Sequence, residues 1–358
     1  MNNSYPSAKW PFSSVNELRI YDAMILCYDD FNKILTFRTF VLIFLNKRGE
    51  HMRTPGVFNY LHRMISRFLS VVFFSTLTLF VLAQDIAVDR EVLGKVTDSR
   101  LNELSGIVAS RKMPNMFWTH NDSGDSARIF LIDSKAKLRC IFSLEGVDAV
   151  DVEDIAWYEK DGKSYLVLAD IGDNRGIRKD IQLYIFEEPE WQEGNAVAKI
   201  SQQGIKRINM RYEDKPRDAE ALFVDPFDKK AYLISKRDLR VGVYPIDFES
   251  ARSGSSLTLK RRLTLPMTFI TAADVAADGS RILIKNIGQV FLWERRKGMP
   301  ILEAFAQNPL TLAYQAEPQG EAICFGADNH VFYTVSERPL GLEAYLYGYK
   351  MQPSSSLY

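Results

Sequence analysis

One stretch decides the fold: Arg217-Asp218-Ala219-Glu220-Ala221-Leu222-Phe223-Val224. Four other stretches resemble it, and the five align on residues that recur at intervals of 48, 67, 53 and 48: Ser105, Glu153, Glu220, Ala273 and Glu321. Alternate side chains of a β-strand point to opposite faces, so one face of each stretch runs from polar, mostly acidic residues to an apolar one. A period of about 50 residues built on strands is typical of a β-propeller.

Two further strands recur after each of these stretches. The second strand of every unit ends on a polar residue, namely Asn121, Asp170, Lys236, Asn286 or Glu337. The third has an aromatic residue near its start: Phe130, Tyr184, Tyr244, Phe291 or Tyr345. Residues 84–358 are therefore predicted to form an all-β, five-bladed propeller, with six blades as the alternative if the interval 153–219 holds another unit.

The outermost strands follow less regular patterns. We predict them over residues 257–265 in the third unit and 301–306 in the fourth. The fifth unit ends without a fourth strand, and residues 86–96, which precede the first unit, are expected to supply it. A propeller closed in this way leaves no open sheet edge.

Residues 64–83 have the features of a signal peptide. Arg67 precedes an apolar run over residues 68–82, and small residues around Ala83 suit cleavage. The run is shorter than the roughly 20 residues that a membrane-spanning helix needs. We expect an exported protein, periplasmic or secreted, that touches a membrane only if this segment stays uncleaved. Residues 1–63 are interpreted as an over-extended gene start or a disordered tail.

Charge and composition limit the choice of partner. The chain has 45 Lys and Arg against 45 Asp and Glu, and this zero net charge argues against nucleic acid. A hydrophobic content of 46% allows a sizeable core. We expect a monomer that takes a small-molecule or glycan ligand at the mouth of the propeller channel.

The innermost strand of each blade lines the channel, so the acidic residues of the aligned stretches should meet at its mouth. Crowded carboxylates are costly to bury and repel one another unless a cation compensates them. Ca²⁺ takes about six to eight oxygen ligands, which such a mouth can provide. The predicted metal ligands are Glu103, Asp151, Glu153, Glu220 and Glu321.

Loops rich in Asp, Asn and Gly open on the same face. They contribute the predicted ligand-binding residues, together with two cations: Asn121, Asp125, Asp170, Asp173, Asn174, Arg217 and Lys236. The predicted catalytic residues are His120, Asp122, Asp218 and Glu220, with His120 or Asp122 as the base. The alternative is that the loop residues only form turns and that the strand carboxylates bond to neighbouring backbone.

Several blocks of the chain resemble those of exported, mostly uncharacterised bacterial β-propellers, among them Glu103-Leu104-Ser105-Gly106-Ile107, Val152-Glu153-Asp154-Ile155-Ala156 and Gln319-Gly320-Glu321-Ala322-Ile323. More loosely, the Glu-Ala-Leu strand starts are similar to those of esterase-like phytase and lactonase-type propellers. There, carboxylates at the channel mouth hold Ca²⁺ that polarises the substrate. This resemblance implies a metal-dependent hydrolase of phosphate esters or related small molecules.

Two other functions fit the sequence. The chain also resembles five-bladed arabinanase-type glycoside hydrolases, for which Asp151, Asp218 and Glu220 would supply the acid pair. Alternatively, the protein has no enzymatic activity and binds a ligand or another protein at its mouth, since fold alone does not determine function.

Overall fold

The computed structural model describes residues 86–351. The predicted signal peptide and the interpretation of residues 1–63 fall outside this range and stay predictions. Among residues 86–351, no helix is both long and apolar enough to span a bilayer.

Five small sheets form a ring, which confirms the five-bladed β-propeller and excludes the six-bladed alternative. Blades 1 and 2 comprise β2 (Leu104–Ala109), β3 (Met116–Asn121), β4 (Arg128–Asp133) and β5 (Leu138–Leu144), then β6 (Val152–Lys160), β7 (Lys163–Asp170), β8 (Ile181–Glu187) and β10 (Lys206–Tyr212). Blade 3 comprises β11 (Ala219–Val224), β12 (Ala231–Ser235), β13 (Val241–Ile246) and β15 (Leu263–Leu265).

Blade 4 comprises β16 (Ile270–Val275), β17 (Arg281–Asn286), β18 (Val290–Glu294) and β19 (Leu310–Leu312). Blade 5 comprises β20 (Gly320–Phe325), β21 (Val331–Ser336), β22 (Tyr345–Met351) and β1 (Val88–Lys95). The strand that precedes blade 1 therefore closes the last blade, as predicted, by antiparallel pairing with β22.

The hydrophobic core is divided among the five gaps between neighbouring blades. Trp118 of blade 1 and Ile155 of blade 2 belong to one cluster, whereas Leu222, on the next inner strand, belongs to the cluster between blades 2 and 3. The inner strands β2, β6, β11, β16 and β20 touch in sequence around the axis and are buried along their whole lengths, apart from the end of β6. This packing fixes the geometry of the channel mouth.

Two predicted outer strands are wrong in detail. Residues 257–265 split into β14 (Ser256–Leu259), which pairs in parallel with β10 of blade 2, and β15 of blade 3. The segment predicted at 301–306 begins instead as helix α1 (Ile301–Ala304), whose buried Ile301 and Ala304 have helical i, i+3 spacing. A further strand, β9 (Val197–Ile200), adds in parallel to β5. These parallel partners cover outer edges that would otherwise be open.

Every inner strand has a β-bulge near its start. The bulged residues are Ser105, Glu153, Glu220, Thr271 and Glu321. The predicted alignment of blade 4 on Ala273 is therefore wrong by two residues, and a slip of two leaves the same residues on the same face. A bulge re-aims a side chain, so these five positions determine what each inner strand presents to the mouth.

A buried carboxylate clamps blades 1 and 2 together on the opposite face. Glu188 accepts hydrogen bonds from Ser110 Oγ at 2.5 Å and from Trp118 Nε1 at 2.8 Å. We expect Glu188→Gln to lower the free energy of unfolding in urea by about 1–2 kcal/mol, because bonds to a charged acceptor are roughly twice as strong as neutral ones. Exposed Glu190 offers a matched control as Glu190→Gln. Equal effects in the two variants would contradict the clamp.

Candidate functional site

Three equivalent positions in each blade define the channel mouth. The leading position lies two residues before the bulge and is occupied by Glu103, Asp151, Asp218, Phe269 and Gln319. The bulge position follows, as given above. At the loop position of blades 1, 2, 3 and 5, just after the second strand, the backbone N–H donates to the carbonyl of the leading residue. The loop residues are Asp122, Gly172, Lys236, Ile287 and Glu337.

Seven carboxylates from four blades converge at this mouth; we call them the acidic ring. They form three groups in which one oxygen of each member lies within 4.8 Å of the others: Asp122, Asp151 and Glu153; Asp122, Glu321 and Glu337; and Glu153, Asp218 and Glu220. Asp122 and Glu153 each belong to two groups, so the groups form one continuous arc. Lys236 closes it by pairing with Glu220 and by lying 3.5 Å from Glu321.

The length of the bulge side chain decides whether it reaches the ring. In blades 1 and 4 the bulge holds a short hydroxyl residue that locks neighbouring inner strands together. Ser105 Oγ donates to the Glu153 carbonyl at 3.0 Å, and Thr271 Oγ1 donates to the Gly320 carbonyl at 3.3 Å. In blades 2, 3 and 5 it holds a glutamate, which contributes to the ring.

Gly172 makes room for two of the carboxylates. A Cβ atom at this position would lie 2.1 Å from Glu153 Oε1 and 2.5 Å from Asp151 Cγ. The other acidic blades carry Asp122, Lys236 and Glu337 at the loop position. Only a residue without a side chain permits this close approach of Glu153 and Asp151.

Burial keeps protons on several members of the ring. It raises the pKa of Glu220 to about 8, even though Lys236 acts in the opposite direction. Burial and the hydrogen bond to Glu321 raise the pKa of Glu337 to about 9. Burial raises the pKa of Asp122 to about 6, and the pKa of Glu153 lies well above its usual value because of burial and nearby Glu220. Deprotonation of these groups would therefore leave negative charge that Lys236 alone does not compensate.

Two buried oxygens of the ring lack a hydrogen-bond partner. They are Asp151 Oδ1 and Glu220 Oε2, in residues that are only 8% and 3% exposed. Ca²⁺ binds oxygen at about 2.3–2.6 Å, so two oxygens on one ion lie at most about 5 Å apart. The spacing of the groups and the unpaired oxygens both suit a hard cation with an all-oxygen ligand set.

Several predicted ligand-binding residues instead hold the loops that shape the mouth. Asp170 accepts the backbone N–H of Asp151 at 3.0 Å and pairs with Arg178 at 2.7 Å, which fixes the segment leading into β6. Asn121 donates to Asp125 at 2.9 Å and to the Arg100 carbonyl. Asp173 accepts two N–H groups of its own loop, which is turn chemistry.

Two further predicted residues, Glu103 and Arg217, also lie outside the three carboxylate groups. Glu103 is exposed, and its carbonyl accepts the Asp122 N–H. Arg217 pairs with Asp214 and Asp238, neither of which belongs to the ring.

His120 is buried, and burial lowers its pKa to about 4, so its imidazole is neutral at physiological pH. Its Nδ1 lies 2.9 Å from the Asn121 carbonyl, and Nε2 has no hydrogen-bond partner. His120 belongs to none of the three groups.

Sequence reasoning missed two residues of the mouth. Arg237 pairs with Asp218 at 2.5 Å and also donates to Asn174 Oδ1, so it brings a second positive charge to the ring. Glu337 lies in the group with Asp122 and Glu321. The available signal was their place directly after the second strand, beside or equivalent to Lys236.

Comparison of the chain with protein-family models and with curated proteins finds no match. The case for function therefore rests on the acidic ring and the cations beside it.

Proposed function

We propose that the protein binds Ca²⁺ in the acidic ring and uses it to hydrolyse phosphate esters or related small molecules. One observation carries the proposal: seven carboxylates from four blades form three overlapping groups, the members of each group lie within cation-binding distance of one another, and two of the buried oxygens have no partner. Glu153, Glu220 and Asp151 are the proposed ligands, since Glu220 and Asp151 own the unpaired oxygens and Glu153 belongs to two groups. Asp218 shares a group with Glu153 and Glu220, and Glu321 extends the acidic ring towards Asp122 and Glu337.

The surrounding residues suit an anionic substrate. When bound, Ca²⁺ would polarise a phosphoryl or carbonyl oxygen and lower the pKa of an attacking water. Asp122, with a pKa raised to about 6, is suited to accept a proton near neutral pH. Lys236 and Arg237 place positive charge beside the carboxylates, where the anionic group of a substrate would bind.

A second candidate is glycoside hydrolysis by Asp218 and Glu220. Asp218 pairs with Arg237 at 2.5 Å, whereas burial raises the pKa of Glu220 to about 8. An ionised and a protonated carboxyl at short distance are what a retaining glycosidase needs, with a separation of about 5–5.5 Å. This reaction would not depend on Ca²⁺.

The test is turnover of 4-nitrophenyl phosphate, bis(4-nitrophenyl) phosphate and 4-nitrophenyl acetate, with Ca²⁺ and with chelator. We expect activity on at least one ester that chelation abolishes and that Glu220→Gln and Glu153→Gln each lower by at least about tenfold. Glu190→Gln is the isosteric control on the exposed surface. Ca²⁺ binding without turnover would instead indicate a binding propeller, and chelator-resistant cleavage of a 4-nitrophenyl glycoside would indicate a glycosidase.

A further inference from the structure

Blade 4 gives the mouth an apolar side. Where the other blades place carboxylates, Lys236, Gln319 or Gly172, blade 4 has Phe269 at the leading position and Ile287 at the loop position. These side chains are 48% and 50% exposed, respectively. The Phe269 N–H donates to the Lys236 carbonyl at 2.8 Å, so the backbone of Phe269 lies beside that of Lys236, whose ammonium group closes the acidic ring. We call Phe269 and Ile287 the blade-4 wall.

The backbone of Phe269 has the same unusual conformation as that of Gln319 at the leading position of blade 5. Its φ is +54°, in the left-handed region, and Gln319 shares this conformation at the same position of blade 5 with a φ of +43°. The Gln319 amide donates to the Glu337 carboxylate at 2.7 Å, from the leading position to the loop position of one blade. Phe269 and Ile287 occupy the corresponding leading and loop positions of blade 4.

Neither residue of the wall contributes to the hydrophobic core. The five core clusters of residues 86–351 include neither Phe269 nor Ile287. A bulky residue with positive φ is unusual, and such strain persists mainly where a function requires it. An exposed aromatic ring held in a strained conformation beside a charged site is therefore better explained by ligand binding than by stability.

We propose that the blade-4 wall binds the apolar part of an amphipathic small molecule: an aryl or alkyl monoester of phosphate. Its anionic end lies over Lys236 and the cation of the acidic ring, and its ring or chain packs on Phe269 and Ile287. The proposal rests on the proposed cation site for the anionic end. The occupant is a small molecule because the wall is two side chains wide and is continuous with the charged mouth.

The test compares two monoesters of equal charge, phenyl phosphate and methyl phosphate, by calorimetric titration of the Ca²⁺-loaded protein. The wild type is expected to bind phenyl phosphate about tenfold more tightly, which corresponds to about 1.4 kcal/mol. Phe269→Asn should bring this ratio close to one and leave the affinities for Ca²⁺ and methyl phosphate unchanged. Phe227→Ala, an exposed phenylalanine in the hairpin between β11 and β12, is the control.

The same variant separates a binding role from a structural one. Asn tolerates the left-handed region, so Phe269→Asn should raise the melting temperature by about 2–4 °C if the native backbone is strained. A lower melting temperature would show that Phe269 supports the fold. No measurable binding of either ester, equal affinity for both, or a preference that survives in Phe269→Asn would overturn the proposal.

These outcomes also distinguish the wall from the cation site. If Ca²⁺ binds but the phenyl ester is not preferred, only the proposal for the wall fails. If Ca²⁺ does not bind and the phenyl preference still depends on Phe269, the wall stands and the cation site is wrong.

Discussion

Adding Ca²⁺ to the metal-free protein at pH 8 is expected to raise its melting temperature by about 5–10 °C. A ligand at a hundred times its dissociation constant stabilises the native state by about 2.7 kcal/mol, and each kcal/mol shifts a domain of this size by about 2–4 °C. The physical reason is the charge of the acidic ring. At pH 8 about half of the Glu220 carboxyl groups have lost their proton, and Ca²⁺ replaces that proton as the compensating charge.

The pH dependence without metal follows from the same groups. Glu220 has a pKa of about 8 in the folded protein, above its ordinary value of 4.5, so its contribution to stability is complete below about 4.5 and is lost as the pH rises through 8. Glu337 extends this loss to about pH 9. The effect of His120 has the opposite sign. Burial lowers its pKa from the ordinary 6.5 to about 4, so the folded protein loses stability as the pH falls from about 6.5 to 4. Because Glu220 and Glu337 together outweigh His120, we expect the stability of the metal-free protein to fall as the pH rises from about 5 to 9.

Calorimetry or dye-based melting between pH 5 and 9, with Ca²⁺ and with chelator, checks both statements. The gain from Ca²⁺ should grow with pH over this range. Glu220→Gln removes a titrating group, so this variant should show a shallower loss of stability above pH 6 and a smaller gain from Ca²⁺. A full Ca²⁺ effect in both Glu220→Gln and Glu153→Gln would place the ion elsewhere in the protein.

The fold was predictable because each inner strand repeats a polar-to-apolar pattern followed by a second strand with a polar end. The register of blade 4 was not. Asp154 accepts the N–H of its own neighbour Ile155 and of Leu222 in the next blade. Asp274 accepts equivalent bonds from Val275 and Phe325, but it lies two residues further beyond its bulge. Asp154 and Asp274 have the same structural role at different distances from their bulges. The sequence alone therefore does not reveal that the alignment of blade 4 is shifted by two residues.

The site was predictable only in part, because acidic residues of the same type serve two purposes. Glu153 and Glu220 lie on bulges, in the carboxylate groups, whereas Asp170 ends β7, Asp173 lies in the loop that follows, and both accept backbone N–H groups nearby. Both sets fit the sequence pattern equally well, since Asp is favoured in turns for its own reasons. A bulge is defined by strand pairing, which a single sequence does not display.

Gly172→Ala is expected to weaken Ca²⁺ binding by about 10–100-fold, the range typical for mutations of residues that contact and position the metal ligands. The added Cβ would overlap Glu153 Oε1 and the carboxyl group of Asp151, and both must move. These atoms are side-chain ends, so the backbone bond from the Gly172 N–H to the Asp151 carbonyl can persist. We therefore expect the fold to survive, with a loss of about 1–2 kcal/mol in urea unfolding.

Gly204→Ala is the matched control, because a Cβ there meets no atom within 4 Å and its backbone does not have the positive φ that favours glycine. Calcium titration of both variants, alongside urea unfolding, separates loss of the site from loss of the fold. Unchanged Ca²⁺ affinity in Gly172→Ala would mean that Glu153 and Asp151 are not ligands. A normal affinity together with a large loss of stability would mean that this glycine is needed only for packing. Weakened Ca²⁺ binding in a folded Gly172→Ala variant would show that the cation binds beside blade 2, the blade whose loop position has no side chain.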